Sequence, residues 1–235
     1  MFEAFFWGFV GAAALILGAI VAYAGAAPSK KFVAVIMALG TGLLIGSVSF
    51  ELIDDAVRTA TVAEVGLFTL IGAAVFTAGN WWLVRPGRES GEESSSALAI
   101  VFGSVLDGIP ESFVLGLTVL EGKVSIALLA GVLLSNFPEG LSSSAGLRNS
   151  GWKVGRVMRM WALIVFVSAC SAALGYVLLD PASGRTGALA EAFAAGALLT
   201  MVCNTMLPEA FKEEGVFTGS LVVAGFAFAI ILSSF

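Results

Sequence analysis

With 58% of its 235 residues hydrophobic, 12% charged and a mean hydropathy of +0.98, the chain lies far outside the composition of soluble proteins. Several of the acids behind its formal charge of −5 lie in short loops, and its twelve basic residues are scattered rather than clustered, which argues against nucleic-acid binding. Apolar runs of roughly 20 residues are what a bilayer-crossing helix needs, so the composition predicts an all-α, polytopic transmembrane helix bundle.

Eight spans are expected, at about 2–26, 31–55, 64–84, 96–119, 124–147, 156–179, 187–211 and 217–235. The connections are short, so residues 1–235 are expected to form a single transmembrane domain. The first span carries only Glu3 before Lys30. It is too long for a signal-peptide core and lacks a basic start, so it is expected to stay in the mature protein. Glu51, Asp54 and Asp55 close the second span, either as a funnel for cations or as an ordinary solvated helix end. Trp81 and Trp82 end the third as an interfacial anchor, ahead of the polar loop 85–94. Cys170 and Cys203 fall in the sixth and seventh spans and read as small apolar packing residues, not a disulfide framework. Met201, Cys203, Asn204 and Met206 read either as soft ligands along a cation path or as packing. Glu209, Glu213 and Glu214 read either as an exit or as a solvated end. Gly8, Gly11, Gly18, Gly42 and Gly46 suit close helix contact.

Nine basic residues (Lys30, Lys31, Arg85, Arg88, Arg148, Lys153, Arg156, Arg159 and Lys212) fall on one side of this topology, against Arg58, Lys123 and Arg185 on the other. The excess of positive charge on cytoplasmic loops places the first group inside, with both termini outside the cell membrane. Residues 41–56 also align without gaps on 195–210, sharing Gly42/Gly196, Leu44/Leu198, Val48/Val202 and Ala56/Ala210. The second span runs outward and the seventh inward. Spans 1–3 and 6–8 therefore read as inverted repeats around a central pair, a 3+2+3 arrangement common in secondary transporters.

The central pair carries the chemistry. Its two spans are each interrupted by a similar motif, Asp107-Gly108-Ile109-Pro110-Glu111-Ser112 and Ser135-Asn136-Phe137-Pro138-Glu139-Gly140. Asp107 and Glu111 share one helix face, as do Ser135 and Glu139, because each pair is four residues apart. Pro110 cannot donate to the carbonyl of Leu106, nor Pro138 to that of Leu134. Polar groups at this depth are tolerated only against protein or a wet cavity. Facing carboxylates with no basic residue on either helix core repel, and a divalent cation between them removes the conflict. A proline kink with an acid bonded to a neighbouring helix is the competing explanation.

These residues resemble the ZIP family of divalent metal transporters. Pro110 and Glu111 match the family's fourth-helix motif, Asn136, Pro138, Glu139 and Gly140 its fifth, and the sequence Leu207-Pro208-Glu209-Ala210 resembles the end of its seventh helix. Both motif histidines are replaced, by Asp107 and Ser135, and the chain has no histidine at all. The family's fourth-helix Asn is Gly108, and the sixth span supplies no carboxylate. The resemblance implies that Glu111 and Glu139 are primary or bridging ligands and that Asn136 serves a second metal position. Asp107 and Ser135 would then ligate through oxygen. The metal is the substrate, of the zinc, iron or manganese class, and no catalytic cofactor is expected. Family precedent favours zinc or iron, whereas an all-oxygen set suits harder ions. The resemblance also implies movement of the ion toward the cytoplasm, and dimers occur among such proteins. Two further readings remain: a membrane binding protein that kept the fold without transport, and an intramembrane enzyme with Asp107 and Glu139 as an acid–base pair.

Overall fold

A computed structural model of the chain describes residues 1–25, 28–83, 93–120, 124–178 and 184–233. It is helical throughout, with no strand among the described residues. The helices are α1 (Phe2–Ala24), α2 (Lys30–Thr59), α3 (Val62–Leu83), α4 (Glu93–Leu120), α5 (Ile126–Asn149), α6 (Val154–Leu178), α7 (185–214) and α8 (Thr218–Leu232). Among the described residues, six stretches are long and apolar enough to cross a membrane, so this is a multi-pass membrane bundle. The loop 85–94 lies mostly outside the described residues, as do Arg85, Arg88 and Lys123.

Local chemistry sets the helix ends. The Ser29 hydroxyl accepts from Phe32 N at the start of α2, and the Ser125 hydroxyl from Leu128 N at the start of α5, each satisfying an orphan donor of the first turn. Thr61 and Glu64 form a reciprocal capping box at the start of α3. Gly25 ends α1 at φ 78°, and Gly215, at φ 77° and ψ −125°, separates α7 from α8. Both are left-handed conformations open to glycine without penalty. The second helix runs four residues beyond its expected end at 55, because the Asp54–Arg58 pair (2.6 Å) supports another turn.

The helices pack in reciprocal pairs. α1 lies on α5 as α4 lies on α6, and α2 lies on α8 as α7 lies on α3, while α1 meets α6 and α2 meets α7. Two details repeat the sequence alignment of 41–56 on 195–210. A π-helical segment begins at Val48 in α2 (Val48–Ile53) and at the aligned Val202 in α7 (Val202–Met206). Gly42 lies against the backbone of α8 at Val222, and the aligned Gly196 against that of α3 at Thr69. No room exists for a side chain at either contact.

Outside the central motifs, described charges and their partners mark two ends of the bundle. Lys30 pairs with Glu213 (3.9 Å), the Tyr23 hydroxyl donates to Trp152 O (2.7 Å), and Arg148 donates to Ala22 O (2.8 Å). These bonds gather the end of α1, the start of α2, the α5–α6 turn and the end of α7. Arg58, the Arg185–Glu64 pair and the Ser233–Glu51 hydrogen bond lie at the opposite end, with Met1.

Candidate metal site

Helices α4 and α5 run through Pro110 and Pro138 without ending. Glu111 is 2% exposed, and Ser135 is also buried. The Ser135 hydroxyl, held 2.9 Å from Val132 O, donates to Glu111 Oε1 at 3.2 Å. This bond joins the two motif helices directly. Glu111 Oε2 is buried and has no hydrogen-bond partner, an arrangement that costs free energy unless something fills the gap.

That gap is a cavity of about 190 Å³. Asp107, Glu111, Ser135 and Glu139 all line it, so four of the five residues expected from the motifs converge. No basic side chain is among its lining residues. It has room for a cation with several of its waters. Among the described residues, no three Asp, Glu or Cys side chains stand close enough to hold a metal ion.

The fifth residue, Asn136, is buried but does not line the cavity. Its Nδ2 donates to Gly11 O of α1 at 3.1 Å, leaving the side-chain oxygen as its remaining polar atom. The rest of the wall comes from outside the two motifs, with Gly103, Ser143 and Thr205 among it. Met37 of α2 and Glu209 of α7 join the wall, and so does Ser104, one helical turn before Asp107. Met201 and Met206 of α7 line it too, whereas Cys203 and Asn204 are exposed. The expectation of two buried thiols is thus corrected: Cys170 is half-buried and Cys203 exposed, both free. Around the π-helical segment of α7, Met201, Val202 and Met206 are buried, Cys203 and Asn204 are exposed and off the cavity, and Thr205, though exposed, lines it.

Accessibility runs in one direction along the cavity. Glu111 is buried, Asp107 and Glu139 are half-buried, and Glu209 is exposed. One turn beyond Glu111 and Ser135, away from Glu209, Val114, Leu115, Leu128 and Val132 are almost completely buried with Leu44 and Val48. The cavity is therefore sealed by an apolar layer at one side and opens toward the end that carries Lys30 and Trp152. Outside it, Asp54 and Asp55 are engaged by Arg58, at 2.6 and 3.9 Å, as expected of a solvated helix end. Glu51 Oε1 accepts from Ser233 (3.0 Å).

No curated protein matches the chain. The family described as ZIP Zinc transporter matches residues 87–233. That match takes in α4 through α8, and with them both proline-bearing motifs and Glu209. A match over more than half of the 235 residues, on the helices that build the cavity, shows that the chain belongs to the ZIP zinc transporter family, whose members move divalent metals across membranes.

Proposed function

We propose that the protein is a permease that takes a divalent cation of the zinc, iron or manganese class into the cavity between α4, α5 and α7 and releases it to the cytoplasm. Asp107, Glu111, Ser135 and Glu139, which line the cavity without being gathered closely enough to hold an ion as they stand, draw in around it, and Asn136, through its side-chain oxygen, serves an adjoining position. Glu209 marks the mouth. The observation that carries this reading is the buried, unpartnered Glu111 Oε2 facing a cavity walled by carboxylates without a counter-charge. In a low-dielectric interior such a set is relieved either by taking up protons or by a cation, and a cation satisfies all of the oxygens at once. The oxygen atoms suit manganese or ferrous iron, and the thioethers of Met37, Met201 and Met206 add affinity for softer ions such as zinc.

Residues 1–235 act as one transporter domain in a 3+2+3 inverted-repeat arrangement, with both termini outside. Support comes from the reciprocal packing pairs and from the π-helical segments at aligned positions. The positive charges at the Lys30 end make the open side cytoplasmic, so the cavity is drawn in its inward-open state. Alternating access then moves the apolar seal from one side of Glu111 to the other.

The competing reading, a family member that binds but does not transport, draws on the absence of a closely gathered three-carboxylate group among the described residues. Uptake of zinc, iron(II) or manganese into proteoliposomes decides between them. Transport by the wild type that is abolished in Glu111→Ala and Glu139→Ala supports the permease. Undiminished transport in both variants removes this site, and no transport or binding of any of the ions by the wild type favours the alternative.

A further inference from the structure

The turn between α5 and α6 holds features that the metal site does not use. Three basic residues, Lys153, Arg156 and Arg159, line a wide basin of about 970 Å³ there, and all three are exposed. They are the exception to the scattered placement of charge along the chain. Residues 140–179 contain no Asp or Glu, and none of the three has an acidic partner among the described residues. An uncompensated charge of three is unusual in a chain whose net charge is −5.

We propose that this basin binds the phosphate headgroup of an anionic phospholipid from the surrounding bilayer. Its position fits a lipid. Helix α5 ends at Asn149 and α6 begins at Val154, and both are long and apolar enough to span, so the turn between them sits at the membrane surface. Trp152 lies in that turn, as aromatic side chains do at such boundaries.

The basin is also built. The Arg156 guanidinium lies 3.6 Å over the Trp152 ring, which holds its planar face in place and leaves its N–H edge for an acceptor. Trp152 itself is pinned, its carbonyl by the Tyr23 hydroxyl (2.7 Å) and its N–H by Leu147 O (3.0 Å). Arg159 Nε donates to Gly155 O (3.2 Å), which directs the rest of the guanidinium away from its own helix. The phosphate of an anionic headgroup, with no choline cation beside it, takes up this fork-shaped donor set better than that of a zwitterionic lipid. The inference rests on the position and charge of the turn and is independent of the metal-site reading.

The test uses the full chain in a neutral detergent. Phosphatidylglycerol and phosphatidylcholine with the same acyl chains are added separately, and bound lipid is counted by native mass spectrometry. Each basic group near an anionic surface contributes about fivefold to binding, so three give the anionic lipid a preference of up to about a hundredfold. Lys153→Gln/Arg156→Gln/Arg159→Gln should bring the two lipids to within a few-fold of each other, while Arg156→Lys/Arg159→Lys, which keeps the charge and loses the fork, retains an intermediate preference. In the wild type alone, molar salt should erase it. Equal binding of both lipids by the wild type, or a preference that survives the triple substitution, overturns the proposal. Displacement of the lipid by tens of millimolar inorganic phosphate does so too, by making this a site for a soluble anion.

Discussion

Glu111→Gln separates what the buried carboxylate costs from what it does. The amide keeps the side chain's shape, and its oxygen still accepts from Ser135, as Glu111 Oε1 does at 3.2 Å. Its nitrogen adds two donors where Glu111 Oε2 now has no partner, in a cavity that holds three other carboxylates. An unsatisfied buried polar atom costs about 1–3 kcal/mol. Relief of that cost, at about 2–4 °C per kcal/mol for a chain of this size, raises the melting temperature of metal-free protein by about 2–12 °C. Metal addition should reverse the order. A ligand at a hundred times its Kd stabilises by about 2.7 kcal/mol, and the variant forgoes most of this. The assay is thermal unfolding in detergent, followed by tryptophan fluorescence after chelation and again with zinc or manganese. If the variant melts below the wild type without metal, or shows the same metal-induced shift, the reasoning from the orphaned oxygen fails.

Two other substitutions probe the frame and the mouth. A Cβ on Gly18 of α1 would lie 2.5 Å from Leu141 N and 2.9 Å from Gly140 C, both backbone atoms of α5, whereas one on Gly66 of α3 meets nothing within 4 Å. Gly18→Ala should therefore lose about 1–3 kcal/mol and Gly66→Ala should be neutral or gain up to about 1 kcal/mol; equal melting temperatures would refute the close approach. Glu209→Gln removes an exposed charge at the cavity mouth, where one charge is worth about 1 kcal/mol at water-like screening. It should raise KM for metal uptake by up to about fivefold and leave the maximal rate unchanged, and an unaltered KM would take Glu209 off the path.

Most of the frame could be read from the chain because lipid imposes a single rule: apolar runs of fixed length, helical throughout. The expected ends fall within a few residues of observed helix ends, with α2 extended by Asp54–Arg58 and α7 to Glu214, while six stretches among the described residues are long and apolar enough to cross a membrane. The motifs located the cavity because an i,i+4 spacing fixes which side chains share a face. What they could not give was the wall contributed from elsewhere. Met37 is one apolar residue among many in its span, and Glu209 is one of three acids at a helix end, set apart only by the resemblance of Leu207-Pro208-Glu209-Ala210 to the end of a family helix. Asn136 shows the limit from the other side. Its motif position implied a ligand, but its amide is engaged by Gly11 O, a backbone atom 125 residues away. The π-helical segments left no mark in composition, yet they begin at residues that the alignment of 41–56 on 195–210 pairs.

The inverted repeats proposed above would satisfy both halves alike if the two were equivalent, and here they are not. Under the exchange that maps α2 onto α7, α3 onto α8 and α4 onto α5, the α2–α5 contact corresponds to α7–α4. The first is close, with Leu43, Ala127 and Ala229 buried together against Leu134. The second is sparse, and between α3, α4 and α7 it leaves an apolar cavity of about 520 Å³ bordered by Phe68, Ile109, Phe113 and Phe193. A structural difference between nearly equivalent contacts is what a two-state transporter requires, since the state with α4–α7 closed and α2–α5 open would make much the same set of contacts. The energies of the two states would then lie close together. In that arrangement Glu111 and Glu139 would stay at the centre while the Val114–Leu128 seal and the Glu209 mouth trade sides, and the proposed cation, by filling the place where Glu111 Oε2 lacks a partner, would stabilise the bundle in either state.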